Sequence, residues 1–236
     1  MRAKLTIVIP TFNEEEFLPS LLDSLKKQTF QPEEVIVSDA FSTDTTRRIA
    51  ALYGCKIIDG GRPAHARNKG ADIAKGNIVL FLDADVVLPK NFLKDTIFEF
   101  EKRNLDIASC FVTPLSNLTV DHMLHSLVNY YIKLTSEFYP HLPGFCVFVR
   151  KSVHNKIKGF DEELLLAEDH DYVQRAKQFG KFAFLNAYKV PVSVRRLSEE
   201  GRFKIALKYV AIEIHLFLLG HIRENIFEYD FGKHHK

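Results

Sequence analysis

Short apolar runs alternate with helical spacing through the first half of the chain. Leu5 to Ile9 is a β-rich run ended by Pro10. Asn13 offers a helix cap, with Glu14, Glu15 and Glu16 suited to a helix N-terminus. Pro19 is tolerated only near a first turn, so the helix proper is expected from about Phe17. Val35 to Ser38 predicts a second strand, Ser42-Thr43-Asp44 caps a helix running to about Tyr53, and Cys55 to Ile58 predicts a third strand. Gly60-Gly61 makes a turn before a helix to about Lys75, and Asn77 to Leu82 is the fourth strand. This β-α-β-α rhythm predicts an α/β fold with a Rossmann-like, mostly parallel sheet flanked by helices.

Beyond Asp85 the rhythm loosens. Asn91 to Arg103 and Val120 to Ser136 have helical spacing, with strands at Asp106 to Val112 and Phe145 to Val149. A helix from Glu168 to Phe179, a strand from Val190 to Val194, a helix from about Glu199 to Leu219 and a polar tail complete the chain. With no repeat or clear linker, residues 1–236 are expected to form one domain. About 1–115 would make a ligand-binding half, about 116–198 a second half, and about 199–236 a C-terminal helical extension.

Composition narrows the partners. The chain is 46% hydrophobic with a formal net charge of +2, so it can bury a substantial core and shows no nucleic-acid-binding character. Cys55, Cys110 and Cys146 form no metal or redox motif and are expected as free thiols in a reducing compartment. No signal peptide or spanning segment is visible, which points to a cytoplasmic location; the sequon at Asn117-Leu118-Thr119 is read as chance.

The chemistry gathers at strand ends. Ile78 to Leu82 is a buried strand by its apolar run, and Asp83-Ala84-Asp85 follows it directly. Two ionised carboxylates cannot be buried in that strand, so they belong at its mouth, facing a cation or polar ligand. Hard oxygen donors with open positions suit Mg²⁺ or Mn²⁺. Further polar clusters follow other strands: Pro10-Thr11-Phe12-Asn13-Glu14, then Asp39, then Arg67-Asn68. Each alone has a plain explanation as a cap, strand end or solvated helix residue. In a parallel sheet, however, all four would share one rim.

The order and wording of these blocks resemble the inverting family 2 glycosyltransferases of the GT-A fold. The matching residues are Ile7 to Glu14, Ser38-Asp39 with Ser42-Thr43-Asp44, Ala66 to Gly70, and Phe81 to Asp85. Later matches are Gly159-Phe160-Asp161-Glu162, Glu168-Asp169 and Gly180. The resemblance implies a nucleotide-sugar donor, UDP-sugar favoured and GDP-sugar allowed, and a saccharide or lipid-phosphate acceptor. Asp39 would meet the base imide, the loop from Thr11 to Glu14 would line the nucleotide pocket, and Arg67 would touch base or diphosphate. Asp83 would approach the ribose or a metal-bound water, and Asp85 would ligate Mn²⁺ or Mg²⁺. Asp169 would be the general base, with Glu168 on acceptor or donor hydroxyls. The chain departs from the family at Ala40-Phe41, where many relatives carry Asp-Gly, and the third metal ligand stays open.

Arg195-Arg196 reads either as a surface pair or as a clamp on a diphosphate or anionic acceptor. The terminal helix is apolar on most faces, with Glu213 the charged exception. It suits packing on the core, on a second copy of the chain, or in the interface of a membrane, which would put the protein at the inner face of the cell membrane. A sugar-phosphate nucleotidyltransferase is disfavoured, since Pro10 to Glu14 occupy the place of its glycine-rich loop. A dehydrogenase lacks its G-x-G-x-x-G here. A sugar-nucleotide binder without turnover is the remaining alternative.

Overall fold

The computed structural model describes residues 3–224, 226 and 227. The first half runs β1 (Leu5–Thr11), α1 (Leu18–Lys26), β2 (Glu34–Asp39), α2 (Thr46–Leu52), β3 (Lys56–Asp59), α3 (Pro63–Asp72) and β4 (Ile78–Leu82). The second runs α4 (Phe92–Lys102), β5 (Ile107–Pro114), α5 (Thr119–Thr135), β6 (Cys146–Arg150), α6 (Lys151–Lys156), α7 (Glu168–Lys177) and β7 (Phe182–Val192). Helices α8 (Arg195–Glu199) and α9 (Arg202–Leu219) follow.

The strands form one seven-stranded sheet in the order β3-β2-β1-β4-β6-β5-β7. β1 pairs in parallel with β2 and β4, β2 with β3, and β5 with β7. Among the described strands, only β6 runs the other way, between β4 and β5. The mostly parallel sheet predicted from the sequence is therefore present, with one inserted antiparallel strand. That insertion matters for the site. It brings the N-terminal end of β6 to the same rim as the C-terminal ends of β1, β2, β4, β5 and β7. The Asp83 backbone N–H donates to the Phe145 carbonyl there at 3.1 Å.

β4 shows why the sheet is covered on both faces. All five residues are buried. Ile78, Leu80 and Leu82 join Ile7, Ile9, Leu21, Phe92 and Phe148 in one core, whereas Val79 and Phe81 join Val8, Ala71, Phe160 and Tyr172 in the other. Side chains alternate across a strand, so a continuous apolar run feeds two cores at once. A carboxylate can follow such a run only where the sheet ends.

Several boundaries differ from the expected ones. β7 begins at Phe182 and stops at Val192, so Val194 lies outside it as the residue preceding α8. Its pairing with β5 shifts register between Cys110 and Phe111, which breaks the apolar alternation and hides the strand from periodicity. α6 is too short to register as a period. α9 starts after Gly201, whose φ of 92° ends α8 sharply and restarts the helix. Asn13 does not cap α1, whose cap position is Phe17, without a side-chain bond. At α2 the expected cap is present, since Asp44 Oδ1 accepts from the Thr46 N–H at 2.9 Å while Thr45 makes no side-chain cap bond of its own. The cysteines are free, with Cys110 and Cys146 in the core and Cys55 half-buried. Most of the polar tail lies outside the described residues.

Candidate active site

Two loops are zipped together beside β1 and β2. Thr11 and Asp39 are register partners at the strand ends. Asn13 has a φ of 52°, a left-handed turn that asparagine tolerates. Its N–H donates to Ser42 Oγ at 2.8 Å, and its Oδ1 accepts from the Thr43 N–H at 2.8 Å. The Glu14 N–H donates to Thr46 Oγ1 at 2.8 Å. The predicted cap residue thus ties the β1 loop to the β2 loop, fixing a polar wall from Pro10 and Thr11 through Phe12 to Glu14.

Asp39 is enclosed at the junction of these loops. Its side chain has no exposed surface. Oδ1 accepts from Thr11 Oγ1 at 2.9 Å and from Ser42 Oγ at 2.5 Å, and Oδ2 accepts from the Ser42 N–H at 2.9 Å and Arg47 Nη1 at 3.2 Å. A carboxylate holding four donors ties the β1 loop to the β2 loop and fixes the conformation of both. At the departure point Phe41 keeps a left-handed φ of 61° that glycine would adopt without strain, and its ring is exposed.

The centre of the rim is an ion-pair relay built on Arg67 of α3. This arginine is 4% exposed. Its Nη1 donates to Glu168 Oε1 at 2.7 Å and its Nη2 to Asp83 Oδ1 at 2.9 Å. The guanidinium fork therefore joins the carboxylates after β4 to those opening α7. Burial works to lower the Arg67 pKa, but Asp83, Glu168 and Asp169 outweigh it and hold the charge. Arg67 thus anchors the two acidic segments to each other from a buried position. The neighbouring Asn68 explains the Gly159-Phe160-Asp161-Glu162 block. Its amide donates to the Phe160 carbonyl and accepts from the Phe160 N–H, at 2.9 and 2.8 Å, and it also donates to Glu162. A Cβ on Gly159 would lie 2.3 Å from Asn68 Oδ1. That block is a lock on α3, keeping Arg67 in place.

Asp83 and Asp85 flank the buried Ala84. Burial pushes the Asp85 carboxyl up to about 7, with Asp83 and Glu14 adding like charge and Arg195 opposing them. Arg195 reaches across from the start of α8. Its Nη1 and Nη2 face Glu14 Oε2 and Oε1 at 3.4 and 3.3 Å, and its guanidinium lies 4.5 Å from the centre of the Phe17 ring. The Ser193 N–H donates to the Asp85 carbonyl at 3.1 Å, which fixes this approach. The paired arginines are split by the helix: Arg195 faces the rim, and Arg196 lies 4.0 Å from Glu200 along α8.

Glu168 and Asp169 open α7 after Ala167, which has a left-handed φ of 60°. Burial raises both carboxyls against the pull of Arg67, Asp169 to about 6. Asp169 Oδ1 accepts from the His170 N–H at 2.9 Å. A Cβ on Gly144 would sit 3.0 Å from Asp169 Oδ2, so this glycine leaves the carboxylate room on its open side. His170 lies behind. Burial and the adjacent His141 pull its imidazole down to about 4. No short sequence pattern announced His141, Gly144 or His170 as site residues; only Glu213, the exception on an apolar helix, gave a signal.

A parallel nucleotide-binding half, extended through an antiparallel strand and carrying acidic residues along one rim, is the GT-A architecture of nucleotide-sugar transferases. The chain belongs to glycosyl transferase family 2, whose family model matches residues 6–157. Among curated proteins it is similar to the poly(ribitol-phosphate) beta-N-acetylglucosaminyltransferase TarS of Staphylococcus aureus. Identity is 28% over 200 residues, covering 80% of this chain and 34% of TarS. The chain thus spans about a third of that relative's length. The crystal structure of S. aureus TarS 1-349 in complex with UDP-GlcNAc superposes with a TM-score of 0.68 at 25% identity, over 90% of this chain and 66% of that one. The mannosyltransferase PcManGT of Pyrobaculum calidifontis, in complex with GDP-Man and Mn²⁺, shares the fold with a TM-score of 0.71. It is 20% identical, over 88% of this chain and 61% of that one.

Proposed function

We propose that the chain transfers a sugar from a nucleoside-diphosphate donor, UDP favoured and GDP allowed, to a saccharide hydroxyl with inversion at the anomeric carbon. One observation carries the reading: Glu14, Asp85, Asp83, Glu168 and Asp169 are held along one rim by two arginines, Arg67 and Arg195. The UDP-GlcNAc complex of S. aureus TarS supports the UDP preference.

The wall from Thr11 to Glu14 lines the nucleotide, with Asp39 shaping it from beneath and Phe41 available at its edge. The donor set around Asp85 fits Mn²⁺ or Mg²⁺: hard oxygens, crowded by like charge and held partly protonated until a cation arrives. Bound there, the ion would neutralise charge on the departing diphosphate. Arg195 would exchange Glu14 for a phosphate oxygen. Asp169 takes the acceptor proton as the acceptor oxygen attacks the anomeric carbon. The bond to the diphosphate breaks on the opposite face, and the leaving group keeps the electron pair. Glu168, already oriented by Arg67, directs sugar hydroxyls. A polyprenyl-phosphate acceptor is the second reading; being already ionised, it would not need Asp169.

A thermal-shift panel of UDP-, GDP- and dTDP-sugars with and without Mn²⁺ tests the donor site. UDP-sugar with Mn²⁺ is expected to raise Tm most, by several degrees, through mass action. Asp85→Asn should abolish the metal-dependent part alone. No response to any nucleotide sugar refutes the proposal. Binding without metal-dependent release of nucleoside diphosphate would instead identify a non-catalytic binder.

The same family of readings includes contact with a lipid surface. No helix among the described residues is long and apolar enough to cross a membrane. Yet α9 exposes Phe203 and Phe217 at 79% and 77%, and α5 exposes Leu127 and Leu134 at 64% each. Such an apolar face is larger than isolated surface residues require and suits interfacial binding. Sedimentation with anionic phospholipid vesicles should retain the wild type and release a Phe203→Ser/Phe217→Ser double variant. Self-association that rises with concentration, without vesicle binding, would assign the face to a second copy.

A further inference from the structure

His141, in the loop before β6, His170 on α7 and Glu213 on α9 come together behind Asp169. Their ligand atoms all lie within 4.8 Å of one another. His141 Nδ1 is 3.3 Å from His170 Nδ1 and 3.3 Å from Glu213 Oε2, and His170 Nδ1 is 3.8 Å from Glu213 Oε1. Three donor atoms each about 2.0–2.1 Å from a tetrahedral ion would be spaced about 3.3 Å apart. The cluster already has nearly that spacing.

The surrounding bonds prepare the same state. Tyr131 Oη donates its one proton to Glu213 Oε2 at 3.2 Å. It therefore accepts from His141 Nε2–H, also at 3.2 Å. That tautomer leaves a lone pair on His141 Nδ1, aimed at the cluster centre. A metal-bound imidazole characteristically donates its other N–H to such a partner. His141 is 2% exposed, and the other two are partly buried. Two imidazoles and a carboxylate converge, and among the described residues no lysine or arginine bonds them.

We propose that His141, His170 and Glu213 bind a Zn²⁺ ion that fastens α9 to the catalytic rim. Nitrogen-rich donors with one carboxylate favour zinc-class ions, whereas the oxygen-only set at Asp85 favours Mg²⁺ or Mn²⁺. Three protein ligands leave a fourth position for water. α9 is held at its start by Arg202, whose Nε and Nη2 donate to the buried Asp121 of α5 at 2.6 and 3.1 Å, and further along by a small cluster, Ile212 and Leu216 against Leu166 and Ile222. Much of its apolar surface between and beyond these contacts is exposed, so a metal clip at Glu213 would add a further anchor in the second half of the helix. The inference does not depend on the transfer reaction: it concerns different residues and a different ion.

The test uses the full chain, purified without an affinity tag and dialysed against metal-free buffer. Zinc is measured by mass spectrometry, and Co²⁺ titration is followed by its visible absorption. One equivalent of Zn²⁺ and an intense tetrahedral Co²⁺ spectrum are expected. Both should be lost in His141→Ala and in Glu213→Gln, the latter keeping side-chain volume if the former fails to fold. Asp85→Asn should keep both while losing Mn²⁺-dependent donor binding, which separates this site from the donor site. Chelation should also raise hydrogen exchange across residues 202–219. Undiminished zinc in folded His141→Ala or Glu213→Gln, or less than a tenth of an equivalent in the wild type after zinc loading, overturns the proposal.

Discussion

Asp169→Asn is expected to cut transfer to a hydroxyl acceptor by about a hundred- to ten-thousand-fold, the usual worth of a positioned base. The loss should fall on kcat, with the thermal response to UDP-sugar and Mn²⁺ unchanged. The structure separates these effects. Asp169 stands at the start of α7, while the nucleotide wall and Asp85 follow β1 and β4. Burial already works against its ionised form, raising it to about 6, which makes it a stronger base than an exposed aspartate. Asparagine can keep the bond from the His170 N–H and removes the buried charge, so Tm should hold or rise. A drop in activity with a stable fold and intact donor binding places the residue in the chemical step. Full activity on a hydroxyl acceptor would remove Asp169 from it. Full activity confined to a phosphate acceptor would move the assignment to the second reading.

Arg67→Met is expected to be the most destabilising single change at the rim, by about 3–5 kcal/mol, because it leaves Asp83 and Glu168 without their buried partner. For a chain of this size that corresponds to a fall in Tm of roughly 6–20 °C. Arg67→Lys should recover only part of it. An ammonium is a point charge, and the present geometry uses two guanidinium nitrogens toward two separate carboxylates. Adding Glu168→Gln to Arg67→Met should restore some stability, since one orphaned charge disappears; the double-mutant cycle then measures their coupling. A Tm within a degree of wild type for Arg67→Met would refute the anchoring role. The two predictions are linked. Arg67 is the main influence opposing burial at Asp169, so its loss should leave the base protonated more often and slow transfer in whatever fraction folds.

The rim itself was readable. Each apolar run in the first half ends in residues too polar to continue inward, and parallel strands bring their ends together. That logic placed Thr11, Glu14, Asp39, Asp83 and Asp85 correctly at neighbouring strand ends. It could not assign their partners. Asp39 and Asp85 look alike in sequence, yet one is sealed by Thr11, Ser42 and Arg47 while the other faces Glu14 and Arg195. Arg195 and Arg196 are adjacent in the chain and point to different neighbours, because a helix starts beneath them.

Periodicity and strand ends are local properties, and they determined the α/β class, the two-faced core and the acidic rim. What the chain order left undecided depends on contacts between distant segments. The reversed β6 brings Gly144 beside Asp169, Arg67 spans from α3 to the residues after β4 and at the head of α7, and α9 folds back to set Glu213 against His141 and His170. No short pattern encodes such meetings. They arise only when the packed sheet fixes where each loop and helix must lie.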